Sequence, residues 1–356
     1  WRRPAYDMPV VDRQWPRVGF TYSPRQAEYL DLPWRETFDA ALALSPAVVR
    51  LGAYWSEIEA APDAYDFSRL DWLLDRAAAR GVPVVLTVGM KAPRWPEYYL
   101  PAWLEERVTL PEGAEVSESA DVREQALDFV TRVVERYRDH PAVRYWQVEN
   151  EPLAPVGPHD WRIGVEFLRR EVALVRELDP LDRPIVINTY VRTHPFADLP
   201  PWKEDVAAKA RAIVDLADIM GLDVYVARGF AVAGLDVYLD WSWWRWERDV
   251  LALRQLARDA GKPTWITEAQ AEPWEPGLVV YTRPPPAASL TPSTAAYTAT
   301  RLQAIGAETI LLWGVEHWYM RLARYEDPRW WSALGPFPFF TRAVPHATDA
   351  VAKPGP

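Results

Sequence analysis

The chain has 356 residues, 49% of them hydrophobic and 25% charged, with no cysteine, so disulfides, thiolate metal sites and a cysteine nucleophile are excluded from an otherwise ordinary globular composition. Lys and Arg number 40 against 50 Asp and Glu, a net charge of −10 with no positive excess to attract phosphate backbones, and nucleic acid is not an expected partner. No apolar run approaches the ~20 residues that span a bilayer; the longest, Pro83 to Met90, is strand-sized.

The 20 Trp, 16 Tyr and 10 Phe exceed what a core of this size requires, and some of that surface is expected to face a ligand. Flat apolar faces with polar edges suit sugar rings. The 34 Pro argue for many well-defined loops. With Trp1 in place of an initiator Met, any secretion signal would precede the numbering, and localisation stays open between secreted, slightly preferred, and cytoplasmic.

In chain order, short β-branched runs alternate with longer amphipathic stretches, the pattern of repeated βα units. Strands are predicted over 17–22, 47–51, 83–88, 143–148, 184–189, 219–224, 263–267 and 309–313. Helices are predicted over 35–44, 67–80, 121–138, 160–178, 202–216, 246–260 and 292–305. The segment from Phe67 shows the logic, since Leu70, Leu73, Leu74 and Ala77 recur on one helical face. Gly81, Gly261 and Gly306 each stand where a left-handed residue would close a helix before the next strand. After Trp313 the chain carries Trp, Pro and Gly in quick succession, so the last unit is predicted irregular, with only 341–351 able to form a helix. Eight such units without a linker predict a single α/β domain over residues 1–356, a (β/α)8 barrel. A doubly wound sheet would want a glycine-rich loop after its first strand, and Thr21-Tyr22-Ser23-Pro24 offers none.

In such barrels reacting groups sit at the C-terminal strand ends. Here those ends carry Arg50, Tyr54 and Trp55; Lys91 and Trp95; Glu149, Asn150 and Glu151; Asn188 and Tyr190; Asp223 and Tyr225; Glu268 and Gln270; and Trp313, Glu316 and His317. Glu151 and Glu268, just past the fourth and seventh strands, are expected to face each other across the mouth. Two opposed carboxyls suit glycosidic bond cleavage, one protonating the leaving oxygen while the other attacks or stabilises the sugar cation. The five His are scattered rather than clustered, which disfavours a metal-dependent barrel hydrolase, and no Gly-x-Ser-x-Gly elbow occurs. A non-catalytic sugar-binding barrel would keep Trp platforms but should have lost one carboxylate. Neither a metal nor an organic cofactor is expected.

The run Tyr145-Trp146-Gln147-Val148-Glu149-Asn150-Glu151-Pro152 resembles the strand-4 Asn-Glu-Pro signature of glycoside hydrolase clan A, and Trp265-Ile266-Thr267-Glu268 resembles its strand-7 nucleophile segment. Val48 to Leu51 with Trp55 and Glu57, then Tyr65 to Asp71 leading into a helix, extend the resemblance to the cellulase-like and β-galactosidase-like families of that clan. It implies a retaining β-glycosidase acting on a β-linked oligosaccharide, polysaccharide or simple glycoside, with Glu151 as acid/base and Glu268 as nucleophile. In that mechanism the carboxyls stand ~5 to 5.5 Å apart, and Glu151 starts protonated because burial and the charge of Glu268 raise its proton affinity. The resemblance further makes Arg50 the arginine that contacts the nucleophile, Tyr225 its tyrosine donor, Asn150 the holder of the sugar 2-hydroxyl and Trp313 the platform under the ring. Against these roles stand an ion pair of Arg50 with Glu149 or Asp223, and simple packing for Tyr225 and Trp313. Trp55, Trp95, Trp103 and Trp274 are candidates for subsite walls, with core packing as the equal alternative for each. The Trp241-Ser242-Trp243-Trp244-Arg245-Trp246 run is expected to divide between packing and rim, and the loop 270–290 to form one wall of the cleft.

Overall fold

A computed structural model describes residues 16–191, 205–276 and 289–335. The strands are β1 (Arg17–Thr21), β2 (Val49–Gly52), β3 (Val84–Val88), β4 (Val143–Val148), β5 (Ile185–Tyr190), β6 (Ile219–Val224), β7 (Ala227–Val232), β8 (Leu235–Asp240), β9 (Thr264–Gln270) and β10 (Thr309–Trp313). Eight of them close a barrel in the order β1-β10-β9-β6-β5-β4-β3-β2, every adjacent pair parallel. These are the eight predicted strands, with ends shifted by up to three residues. The chain therefore has the expected (β/α)8 architecture.

Burial has two layers, as a barrel demands. Val48, Val85, Val186, Ile219, Trp265 and Leu311, with Tyr145 beside them, fill the inside of the barrel. There Arg17 donates to the Tyr145 hydroxyl at 3.0 Å and lies 5.0 Å from the Trp265 ring centre. Alternate residues of the same strands pack outward on the helices. Helix Ser68–Ala79 buries Leu70, Leu73, Leu74 and Ala77, the stripe read from the sequence. Helix Ala120–Tyr137 starts at Ser119, whose hydroxyl accepts from Val122 N, and Pro292–Ala304 starts at Thr291, which accepts from Thr294 N. Gly81, Gly261 and Gly306 follow three helix ends with φ of 66°, 71° and 81°, the left-handed closure expected of them.

Two elements depart from the sequence reading. The last unit is not irregular within the described residues: helix Val315–Tyr325 follows β10 directly and Arg329–Leu334 succeeds it. Gly314 makes this possible, since its φ of 129° turns strand into helix in one residue and a Cβ there would lie 2.5 Å from Glu272 Cβ. The alternative helix 341–351 lies outside the described residues, as do 277–288 of the predicted cleft wall and the first residues of the predicted helix 202–216. The second departure is an antiparallel hairpin, β7–β8, between β6 and helix Trp246–Asp259. Ala233 and Gly234 form its two-residue turn, both with positive φ, the twist that matches paired strands.

Candidate active site

Glu268 is delivered by a bulge. Against β6, Leu222 pairs Ile266 but Asp223 pairs Glu268, and against β10, Ile310 pairs Ile266 but Leu312 pairs Ala269. One extra residue therefore sits in β9 at Thr267-Glu268, and such bulges re-aim side chains. Arg50 Nη2 donates to Glu268 Oε1 at 2.5 Å, and the Tyr225 hydroxyl donates to Glu268 Oε2. Arg50 is fully buried, and its Nε also donates to Thr21 Oγ1 at 2.9 Å. A cation and a hydroxyl donor thus grip the two oxygens of this carboxyl.

Glu151, past the end of β4, lies within reach of the charge of Glu268, and among the described residues no salt bridge is made to its carboxyl. Its backbone is fixed from both sides: Glu151 N donates to Asn188 Oδ1 at 2.9 Å, and the fully buried Lys91 donates through Nζ to Glu151 O at 2.8 Å and Ala154 O at 3.3 Å. Burial first, then the charge of Glu268, pushes the Glu151 carboxyl up to about 7, against the opposing pull of Lys91, a hydrogen bond with Asp223, and Arg50. Asp223 accepts from Asn188 Nδ2 and Thr267 Oγ1, each at 2.6 Å, and burial among Glu268 and Glu151 raises it well above the usual carboxylate range. Asn150 Oδ1 accepts from Asn188 Nδ2 at 3.0 Å and lies 3.4 Å from Arg50 Nη1, while its Nδ2 donates to Glu97 Oε2 at 3.0 Å.

The end of β4 is shaped by Glu149, which takes φ of 61° and turns its carboxylate back onto the backbone N–H groups of Met90 and Lys91 at 2.8 and 2.5 Å. Gly89 permits that approach, since a Cβ there would lie 2.3 Å from Glu149 Oε1. Burial pushes Glu149 up to about 7, and burial together with the charge of Glu149 raises the Glu171 carboxyl well above the usual carboxylate range. The loop after β3 then crosses the mouth. Arg94 donates to Glu272 Oε1 at 2.5 Å and Glu316 Oε2 at 2.7 Å, and its guanidinium lies 4.1 Å from the Trp313 ring centre. Trp313 donates through Nε1 to Glu272 Oε1 at 2.8 Å.

The six residues named from the sequence thus converge on one mouth. Glu268 touches Arg50 and Tyr225, Asn150 adjoins Arg50, and Glu151 feels the charge of Glu268. Trp313 lies 6.3 Å from Tyr225, ring centre to ring centre, and is only 5% exposed, with one face given to Arg94. Arg50 pairs with Glu268 rather than with Glu149 or Asp223. Of the Trp candidates, Trp55 is buried on Phe129 and Trp103 is partly buried in the core, whereas the Trp274 ring lies tilted 4.2 Å from that of Tyr225 and Trp95 is 59% exposed. In the Trp run, Trp241 and Trp246 are buried and Trp243 and Trp244 exposed. His317 packs on Trp330, where burial holds it down to about 3. Sequence reasoning missed Gln147, Thr267 and Glu272, and above all Arg94 and Glu97, which follow their strand by a loop of no recognisable pattern. Among the described residues no group of three metal-binding side chains occurs, and no helix is long and apolar enough to cross a membrane.

Comparison with known proteins agrees with the fold. The profile of glycoside hydrolase family 42, described as β-galactosidase, matches residues 21–160. The β-galactosidase LacZ of Heyndrickxia coagulans is 28% identical over 148 residues, 37% of this chain and 21% of that protein. The chain therefore matches about a fifth of that relative's length. Among solved structures, Gan42B, a GH42 β-galactosidase from G. stearothermophilus, superposes with a TM-score of 0.58 at 19% identity over 85% of this chain and 51% of that one. A GH5_18 protein from Streptomyces cattleya in complex with GlcNAc gives 0.56 at 18% identity, over 84% and 70%. At these identities the solved structures speak for the fold.

Proposed function

We propose that this chain, a clan A glycoside hydrolase of open subfamily by fold and motif, cleaves β-linked glycosides with retention of configuration, residues 1–356 acting as one catalytic domain. The observation that carries the reading is the pair of carboxyls in one mouth whose environments differ in opposite senses. Glu268 receives a cation and a hydroxyl, while Glu151 is raised to about 7 by burial and by Glu268 itself. A carboxyl held protonated, facing one that is gripped by a cation and a hydroxyl donor, supports Glu151 as the acid and Glu268 as the nucleophile.

In the first step Glu151 gives its proton to the glycosidic oxygen as Glu268 bonds to the anomeric carbon, and the aglycone leaves as an alcohol. Forming the ester removes the charge that Arg50 and Tyr225 contact, and with it the part of the cost of ionising Glu151 that comes from Glu268. Glu151 then takes a proton from water, which attacks the anomeric carbon and releases Glu268 as a carboxylate into the waiting donors. Asn150 holds the sugar 2-hydroxyl, and the remaining open edge of Trp313 borders the ring. The relatives' galactoside chemistry makes a β-galactoside the first substrate to try.

The test is a panel of aryl β-glycosides, galactoside included, and β-linked polysaccharides, offered to the wild type and to Glu268→Gln. Turnover of at least one β-glycoside by the wild type, reduced by three or more orders of magnitude in the variant, is the expected result. Turnover that survives in Glu268→Gln would overturn the nucleophile.

A further inference from the structure

We propose that Glu97 is a specificity-determining residue of the sugar site: its carboxyl and the Asn150 amide together grip one hydroxyl, that at C2, so the site selects neutral sugars with a free 2-hydroxyl. The proposal rests on the reading of Asn150 given above and adds a second partner to it.

The loop that carries Glu97 is held in an unusual shape. Lys91 and Tyr98 close it as an antiparallel bridge, Ala92 N donates to Glu97 O at 3.0 Å, and Glu97 N donates to Arg94 O at 2.9 Å. Within this short span Arg94 has φ of 96° and Glu97 φ of 74°, a left-handed conformation that non-glycine residues adopt only where their surroundings over-determine it. The surroundings do so here. Arg94 is bonded to Glu272 on the β9 side and to Glu316 after β10, and the Tyr99 hydroxyl donates to Arg94 O at 2.9 Å. The product of that strain is the placement of one carboxyl. Glu97 remains partly exposed to the mouth, within electrostatic reach of Lys91, Glu151 and Glu268, and accepts from Asn150 Nδ2.

The orientation of the Asn150 amide is set by its other end, because Oδ1 accepts from Asn188 Nδ2 and so Nδ2 is turned to Glu97. An N–H donor and a carboxyl acceptor 3.0 Å apart satisfy each other while the site is empty. They also match one alcohol, which accepts with a lone pair and donates its own hydrogen. A bound sugar hydroxyl replaces their mutual bond with two bonds to itself. The Glu97 oxygen accepts whether or not its carboxyl holds a proton. An ammonium at C2 has no lone pair for Asn150, and a methylene offers nothing to either partner, so both are selected against.

The experiment compares an aryl β-galactoside with its 2-deoxy analogue in the wild type, Glu97→Ala and Glu97→Gln. Wild type is expected to favour the hydroxylated substrate by about 10³-fold or more in kcat/KM. In Glu97→Ala that preference should shrink at least tenfold, with KM for the hydroxylated substrate rising, and Glu97→Gln, which keeps a carbonyl acceptor, should retain part of it. An unchanged preference in Glu97→Ala, whether both rates hold or both fall together, overturns the proposal. Binding of galactose and 2-deoxygalactose by calorimetry reads the same discrimination without turnover. If no aryl glycoside is hydrolysed yet galactose binds preferentially in a Glu97-dependent way, the hydrolase reading fails alone. Equal binding of the two sugars overturns the role of Glu97.

Discussion

Replacing Glu268 by Gln should lower the proton affinity of Glu151. In the native site Glu151 is lifted from its ordinary 4.5 to about 7, with burial the larger cause and the charge of Glu268 the second. That rise corresponds to roughly 3 kcal/mol against the ionised form, at 1.36 kcal/mol per pH unit. Two unit charges at the ~5 Å of a retaining pair repel by about 3 kcal/mol at an effective dielectric constant near 20. Arg50 lowers the proton affinity of Glu151 in both proteins, so it does not reduce the change. Burial, the larger cause, is unaltered by the substitution, so Glu151 should fall by about one to two pH units. The assay is a carbon-13 NMR titration of protein labelled at the Glu carboxyl carbons, with Glu151→Gln to assign the resonance. A Glu151 resonance that titrates at an unchanged or higher pH in Glu268→Gln would refute the reasoning, because Glu268 would then carry no charge felt by Glu151. The same proton affinity places the alkaline limb of the wild-type kcat/KM profile near pH 7, where Glu151 loses the proton it must donate.

Glu151→Ala should slow glycosides with poor leaving groups by about 10² to 10⁴-fold while activated aryl glycosides form the ester nearly as before, and azide should restore turnover as a β-glycosyl azide; equal loss on all substrates would contradict the acid role. Gly89→Ala places a Cβ 2.3 Å from Glu149 Oε1 at φ of 116°. It should destabilise the fold by on the order of 4 kcal/mol, through lost carboxylate bonds to Met90 and Lys91 and a strained backbone, and urea unfolding would show it. Glu97 at about 8, and Glu149 and Glu151 at about 7, bind protons more tightly folded than unfolded. Their stabilisation is complete below about pH 4.5 and is lost as pH rises through 7 to 8, so Tm measured from pH 5 upward should fall toward pH 8.5; a rise over that window would contradict the burial of these groups.

What the sequence disclosed follows from how locally each feature is encoded. The eight barrel strands are continuous apolar runs such as Val84–Val88, buried on both faces, and they announce themselves without knowledge of neighbours. Glu151 and Glu268 were legible because strand order alone carries them to one mouth. Helix Val315–Tyr325 was not, because its first turn buries Glu316 and His317 beside apolar Val315 and Trp318, so polar residues interrupt the stripe that marks a helix. The β7–β8 hairpin did leave a signal, alternating residues around Ala233-Gly234, but the Trp-rich run beside it masked the alternation. Glu97 and Arg94 owe their positions to left-handed backbone at non-glycine residues and to partners on β9 and after β10. No local pattern specifies such contacts.

The central claim is that Glu268 becomes covalently bonded to the sugar. Incubation with a 2-deoxy-2-fluoro-β-glycoside bearing a dinitrophenyl leaving group, followed by peptide mass spectrometry, tests it directly, since the fluorine slows both steps while the leaving group restores the first. The account predicts one sugar per chain, on the peptide containing Trp265-Ile266-Thr267-Glu268, and no label in Glu268→Gln. A label on any other residue, or hydrolysis of an aryl β-glycoside to the α-sugar as first product with no label at all, would contradict it.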